Sequence, residues 1–515
     1  MKVRHIFGFC LVLAAVCSVS IAQSEEEYFA VFIDGKKAGY AVRNRTAAEG
    51  KVTTTEKVNI TLSRTDIPVT MNTSETSIET TSGKPLGFEA VQDMSVMSMK
   101  VTGTVNQQGM VNLTVASMGK EEKSTLEWPK GAVMAEGLRL LELKSGLKEG
   151  SSYTVRIFNP SLLDAIDAQV SVGPRQNIDL LGRVVALTEI KTTISMPEAG
   201  DIVGTDYVDE NLRLQKSLMP VAGLMVEMIA CGKEFAMGGN DVPEIVEKMF
   251  IKSPVPLEDV GSAKSITYHL IAVPGVNSLR IPSNDNQSVR QNSDGSLTVI
   301  VEPVKVRSGG RFPYRGSDKA ILEAMQPSRY VQSDRKEIIE LAKLAVGDSK
   351  DALDAAEKIE SFVAGYIENK SLSVGYASAA EVAASRQGDC SEFAVLTAAL
   401  CRAVGIPAQV VVGIAYVDEF GGMENGFGGH AWVQAYIGGK WVGLDATFKS
   451  TGRGGYDAGH IALAAGNGDP KDFFNLATTI GQFKIDRIKV DTNSAGMPKK
   501  SNTKADSIEQ DISEN

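Results

Sequence analysis

The sequence predicts a multidomain protein in which an N-terminal antiparallel all-β region is followed by an α+β core. Three observations lead there. The 515 residues exceed what one compact domain holds and point to about three folded units. From about Tyr28 to Ala236 the chain is rich in Thr, Val and Ser and alternates apolar with polar residues in short runs. Beyond about Ser317 the apolar residues recur instead at spacings of three and four, the period of helices. The expected division is 1–22 leader, 23–245 antiparallel β domain, 246–315 second β segment, 316–490 core and 491–515 disordered tail.

In chain order, Lys2 and Arg4 open a charged stretch, Ile6 to Val19 are apolar, and Ser20-Ile21-Ala22 form a small-x-small cleavage site. This is the pattern of a secretory signal peptide removed near Gln23, so an exported, periplasmic or extracellular protein is expected. The apolar run, about 14 residues, is shorter than the roughly 20 that span a bilayer, and no later segment is apolar enough to do so. With 43% hydrophobic and 23% charged residues the composition is that of a soluble protein. The net charge of -10, without a basic stripe, argues against nucleic acid as a partner.

The β region contains YFAVFI, KVNITLS, MKVTGTV and VNLTVAS, separated by turn signals such as Asp34-Gly35. A helix is expected over Val133 to Lys144 and another over Pro220 to Ala236, where Met and Ala accumulate. The Met-dense DMSVMSMK reads as a plastic core strand. SITYHLIAV and SLTVIVEP supply strands of the second β segment, with His269 as a structural side chain. Ser317 to Gln326, Asp334 to Val346 and Lys350 to Glu368 read as helices. Past Val490 the chain is polar and aperiodic.

Removal of the leader would leave Cys231, Cys390 and Cys401 with His269, His430 and His460. An odd cysteine count leaves at least one thiol without an intrachain partner. Cys390 and Cys401 share one expected helix and stand roughly 16 Å apart at 1.5 Å per residue, too far for a disulfide. In RQGDCSEFAVLTAALCRAVGIPAQ, Asp389 is a natural N-cap, Cys390 takes the first helical position, and Phe393, Leu396, Leu400 and Val404 form one stripe. Cys401 lies one step from that stripe and reads as core. Backbone N–H groups at a helix start favour a thiolate and can bind an oxyanion. Asp389 and Glu392 oppose ionisation, so a histidine partner is required.

GHAWVQAYIGGKWVGLDATF supplies one. Gly438-Gly439 reads as a two-residue hairpin turn, which pairs Ile437 with Lys440, Trp432 with Asp445 and His430 with Thr447. Asp445 becomes the diagonal neighbour of His430, near enough to accept a hydrogen bond from its ring and set its tautomer. The preceding EFGGMENGFGG reads as a mobile loop beside His430. A zinc site of Cys390, Cys401, His430 and Asp445 fits poorly, since the chain lacks CxxC or HExxH spacing.

GDCSEFAVLTAALCRAVGIPAQVVVG followed by GHAWVQAYIGGKWVGLDAT resembles the core of the transglutaminase-like superfamily, a papain-related fold. The resemblance covers about Ser317 to Val490. It implies a catalytic triad of Cys390, His430 and Asp445 and an oxyanion side chain ahead of the cysteine, for which Gln387 and Tyr376 are the candidates. It also implies a place for Trp432 beside the substrate and a structural role for His460. The β region resembles, more weakly, domains beside such cores in exported bacterial proteins. The implied function is cysteine-dependent acyl transfer on amide bonds of a protein or peptide substrate, ending in hydrolysis or in transamidation, with no cofactor and no metal. The alternative is a catalytically silent secreted binding or scaffold protein with a vestigial core.

Overall fold

The computed structural model describes residues 23–64, 67–94, 97–117, 120–196, 200–221, 224–244, 250–274, 276, 279–370, 377–468 and 479–492. The expected signal peptide, Tyr376 and most of the expected tail lie outside them; Asp491 and Thr492, assigned to the tail, are the last residues of a strand. Among the described residues no helix is long and apolar enough to cross a membrane.

The N-terminal region is a 15-stranded sheet built from two meanders. The first comprises β1 (Gln23–Ile33), β2 (Lys36–Ala48), β3 (Lys51–Arg64), β4 (Ile67–Thr80), β5 (Pro85–Met94), β6 (Met97–Val105), β7 (Met110–Ser117) and β8 (Lys120–Glu127). The second contains β9 (Ala132–Val133), β10 (Ser152–Asn159), β11 (Asp164–Leu180), β12 (Arg183–Met196), β13 (Gly200–Val208), β14 (Leu214–Val221) and β15 (Leu224–Cys231). Helix α1 (Ala135–Ser145) lies between β9 and β10. The meanders join where β1 pairs antiparallel with β15, Tyr28 opposite Cys231. Asp34-Gly35, Glu49-Gly50 and Leu181-Gly182 close hairpins with positive φ at both positions, the turn whose twist matches that of the strands.

The sheet curls back on itself. Phe88 on β5 and Phe158 on β10, from opposite arms, have ring centroids 5.0 Å apart, and Trp128 stands 4.5 Å from Phe158. Helix α1 lies within the curl: the buried Glu79 of β4 accepts hydrogen bonds from the Glu136 N–H at 2.7 Å and the Gly137 N–H at 2.9 Å. Arg45 of β2 and Arg139 bind Glu136 in turn. The carboxylate of one strand thus satisfies the otherwise unpaired donors of a helix start. One expectation fails here. Pro220 to Ala236 is mostly strand, because Leu224 to Cys231 pairs along β1 and β14 at once; only α2 (Lys233–Ala236) is helical.

The core sheet contains β16 (Ile251–Lys252), β22 (Ala408–Phe420), β23 (Met423–Ile437), β24 (Lys440–Leu444) and β25 (His460–Gly466). A smaller sheet holds β17 (Ala263–Ala272), β18 (Gln287–Gln291), β19 (Leu297–Val301) and β26 (Phe483–Thr492). Around them run α3 (Lys319–Glu323), α4 (Lys336–Val346), α5 (Ala352–Tyr366), α6 (Ala379–Ser385), α7 (Cys390–Ala403) and α8 (Ala446–Ser450), with the short strands β20 (Asn369–Lys370) and β21 (Gln387–Gly388). Both sheets and helices α4 to α8 bury one continuous apolar core, so β17 to β19 pack with the C-terminal half. Helix α7 is buried along Ser391 to Arg402 and packs on β22 and β23, which sets its first residue against the core sheet. Cys401 is fully buried there. The glycine-rich segment 419–429, expected as a loop, extends β22 and β23 into a longer hairpin with its turn at Gly421-Gly422. Its glycines let the Phe250 ring lie on the strand, since a Cβ at Gly426 would stand 2.3 Å from that ring.

Replacing Glu79 with Ala should leave two buried N–H groups of α1 without acceptors. The expected cost is about 2 kcal/mol in the unfolding of the sheet, read by chemical denaturation of the full chain; an unchanged midpoint would contradict this capping role.

Candidate active site

Asp389 and Glu392 form a reciprocal capping box at the start of α7. Asp389 Oδ1 accepts hydrogen bonds from the Ser391 N–H at 3.1 Å and the Ser391 hydroxyl at 2.7 Å. Glu392 Oε2 accepts from the Asp389 N–H at 2.8 Å, and its Oε1 from the Ala377 N–H at 2.9 Å. The returning Glu392 side chain explains Gly388, where a Cβ would stand 2.3 Å from that of Glu392. Cys390 is therefore held at the first helical position and is half-buried. Burial pushes its thiol pKa up, Asp389 and Glu392 push the same way, and a hydrogen bond from the Ala431 N–H and the charge of Arg64 act against them. The helix start alone does not secure a thiolate.

Ala431, whose backbone N–H lowers the thiol pKa, follows His430 directly on β23. Gly438-Gly439 turns the hairpin as expected, and the register runs from Ile437–Lys440 to Val433–Leu444. There it stops. Asp445 leaves the sheet and N-caps α8, its Oδ1 accepting from the Phe448 N–H at 3.0 Å. Thr447 is thus helical, and the expected pairings Trp432–Asp445 and His430–Thr447 do not form. The cap nevertheless turns the second carboxylate oxygen toward His430, whose Nε2 lies 2.8 Å from Asp445 Oδ2. The ring stacks on Phe448, with centroids 4.6 Å apart.

Asp445 Oδ2 also lies 3.0 Å from His460 Nε2, and His460 Nδ1 lies 3.0 Å from Asp457 Oδ1. Local spacing contained no sign of this: His460 arrives on β25, which pairs with β22 rather than with the His430 strand. Nor did it indicate Glu360 of α5, which accepts from the Asp445 N–H at 2.7 Å and bonds Lys449 at 2.7 Å. Burial alone would raise the Asp445 pKa, but the charge and hydrogen bond of His430 and the bond from His460 hold it well below the usual carboxylate range. The ligand atoms of His430, Asp445 and His460 all lie within 4.8 Å of one another. Both imidazoles spend a nitrogen on the same carboxylate oxygen at hydrogen-bonding distance, the geometry of a polar network.

The remaining site candidates fall in different places. Gln387 sits on β21, opposite Asn369 of β20, and accepts from the Asn369 amide at 3.3 Å. Trp432 is 3% exposed, packed with Val411, Ala462 and Tyr456 and edge-on to His460 at 5.1 Å, behind the histidines.

For His460, burial favours the neutral ring, but bonds to Asp445 and Asp457 outweigh it and raise the pKa to about 9. A raised folded-state value contributes stability that is fully present below about pH 6.5 and is lost as pH rises through about 9. Chemical denaturation should show the core weakening over that window by on the order of 3 kcal/mol, and His460→Gln should lack the step. Equal pH slopes in the two proteins would refute it.

Residues 339–446 match the model of the transglutaminase-like superfamily. No curated protein matches the chain. Among solved structures, a candidate cysteine protease from Cytophaga hutchinsonii is 24% identical with a TM-score of 0.30, covering 46% of this chain and 88% of that one. A β-barrel-like domain of unknown function from Brucella abortus is 13% identical with a TM-score of 0.30, covering 40% of this chain and 94% of its own. The periplasmic domain of TgpA from Pseudomonas aeruginosa, solved bound to ethylmercury, is 17% identical with a TM-score of 0.24, covering 39% of this chain and 75% of its own. The segment that holds Cys390, His430 and Asp445 is a transglutaminase-like domain of this chain, residues 339–446.

Proposed function

We propose that the protein is an exported cysteine-dependent acyl-transfer enzyme acting on amide bonds of a protein or peptide. Cys390 is the nucleophile, His430 the proton carrier and Asp445 the group that orients His430. The observation that supports this most is the buried pair on β23 and α8, His430 tied through Nε2 to Asp445 at 2.8 Å, with Ala431, the next residue on β23, acting on the Cys390 thiol through its backbone. With Nε2 engaged by the carboxylate, Nδ1 is the nitrogen left to exchange a proton with the sulfur.

Burial and Asp389 keep the resting thiol protonated. As the sulfur attacks the amide carbonyl, its proton passes to His430 Nδ1 and the carbonyl oxygen becomes an oxyanion. We assign the Cys390 N–H at the helix start and the Gln387 side-chain amide as its donors. The Gln387 oxygen faces Asn369, which leaves its NH2 to donate. Collapse of the intermediate breaks the C–N bond, and His430 protonates the departing amine. Water, deprotonated by His430, then cleaves the thioester and makes the enzyme a peptidase or amidase; an amine in its place makes it a transglutaminase. Asp445 stays ionised throughout, in keeping with its lowered pKa. Export rests on the pattern of Lys2, Arg4 and the apolar run to Val19.

Dye-labelled casein hydrolysis and dansylcadaverine incorporation into casein, run side by side, separate the two outcomes. Cys390→Ala and His430→Ala should each lower the active reaction by about 10³-fold or more, and Asp445→Asn by about 10²-fold or more. Mass-spectrometric alkylation rates of Cys390 provide a second readout that needs no substrate. A Cys390 alkylation rate whose value and pH dependence are unaltered by His430→Ala would sink the catalytic reading.

A further inference from the structure

The N-terminal sheet grips the transglutaminase-like half through its hairpin tips. Ser117 of β7 bonds Glu381 of α6, and Glu122 of β8 pairs with Arg335 at the start of α4. Met99 of β6 meets the Arg329 guanidinium, and Arg329 Nη1 donates to the Ser161 carbonyl at 3.1 Å. Arg64, the last residue of β3, reaches furthest toward the chemistry: its Nη2 lies 3.0 Å from Asp389 Oδ2. Beside it, the chain leaving the sheet is pinned to β3 by the Ser63 hydroxyl on Glu244 at 2.6 Å and by the Ser63 N–H on the Pro243 carbonyl at 2.9 Å.

Asp389 presents a contradiction that Arg64 resolves. As N-cap its carboxyl group accepts the hydrogen bonds of the first turn of α7, yet an acid there lies beside the sulfur that has to become an anion. Glu392 adds to the difficulty from the same turn, while β23 brings His430, bound to Asp445 with His460 on the same oxygen, and the Ala431 backbone that acts on the thiol. Arg64 binds the Asp389 oxygen that the helix cap leaves over, so the cap survives and its charge is answered. The pair is mostly shielded, with side chains 29% and 10% exposed.

We propose that Arg64 is a positioning residue of the catalytic centre, supplied by the N-terminal β domain, which neutralises Asp389 so that Cys390 can ionise. The inference rests on the reading of Cys390 as nucleophile. It makes the β domain a functional part of the site, and the isolated core a poor enzyme even if folded. The Coulombic effect of Arg64 on the thiol is in the matching direction.

The test is the pH profile of Cys390 alkylation in the full chain, followed by mass spectrometry of the Cys390 peptide so that Cys231 and Cys401 do not contribute. Arg64→Gln should move the ionisation midpoint up by about 0.5 to 1 pH unit, and Arg64→Lys should recover most of the shift. Arg335→Ala, which breaks a different domain contact, should leave the midpoint in place. Should Arg64→Gln fail to fold, Asp389→Asn reads the same pair from the other side and should move the midpoint down. A wild-type profile in Arg64→Gln, or an equal upward shift in Arg335→Ala, would overturn the inference. The wider catalytic reading fails separately, through His430→Ala: a profile that moves with His430→Ala but not with Arg64→Gln removes the role of Arg64 alone.

Discussion

One carboxylate oxygen organises the C-terminal half. Asp445 Oδ2 takes hydrogen bonds from His430 and His460, and the opposite oxygen caps α8. A buried carboxylate is costly unless its acceptors are filled. Here they are filled from three elements: β23 brings His430, β25 brings His460 and α8 brings the Phe448 N–H, while Glu360 of α5 accepts from the Asp445 backbone N–H. The charged His460, itself pinned by Asp457, balances the carboxylate so that it can remain ionised in the core. The small sheet supports this from below, where the buried Tyr268 hydroxyl donates to the Ala458 carbonyl at 2.7 Å, in the turn that precedes His460.

Sharing the oxygen has a chemical consequence. A carboxylate bound to one imidazole strongly favours the charged ring. His460 draws on the same oxygen and on Asp457, and these bonds raise its pKa to about 9. Cys390 is tuned in the opposite sense to a simple helix-start thiol: burial and two acids push its pKa up, and the Ala431 backbone on β23 and Arg64 of the N-terminal sheet act against them.

How much of this could be read from the sequence follows from how local each interaction is. The α7 cap was legible because Asp389, Cys390 and Glu392 lie within one turn of a single local motif, and the hairpin register was legible because Gly438-Gly439 admits few turn types. Extension past Leu444 failed because a strand pattern carries no notice that Asp445 will cap a helix instead of pairing. The two met anyway, by cap geometry rather than by diagonal pairing. Alternation revealed strands throughout the first half but not the β1–β15 closure, which depends on residues about two hundred positions apart. His460, Glu360 and Arg64 escaped for the same reason, since each reaches the site from a distant element.

The N-terminal half has its own polar logic, with Glu79, Glu136, Arg45 and Arg139 locking α1 into the curl. Its hairpin tips then close on the rim of the other half.

The central claim is that His430 directs Nε2–H to Asp445 and leaves Nδ1 for the sulfur. Nitrogen-15 NMR of histidine-labelled protein tests it most directly, because the sequence contains only 4 histidines. The account predicts a proton on His430 Nε2 in a strong hydrogen bond, and an Nδ1 resonance that shifts when Cys390 is replaced by Ala. A His430 protonated on Nδ1 alone, with a spectrum indifferent to Cys390, would contradict it.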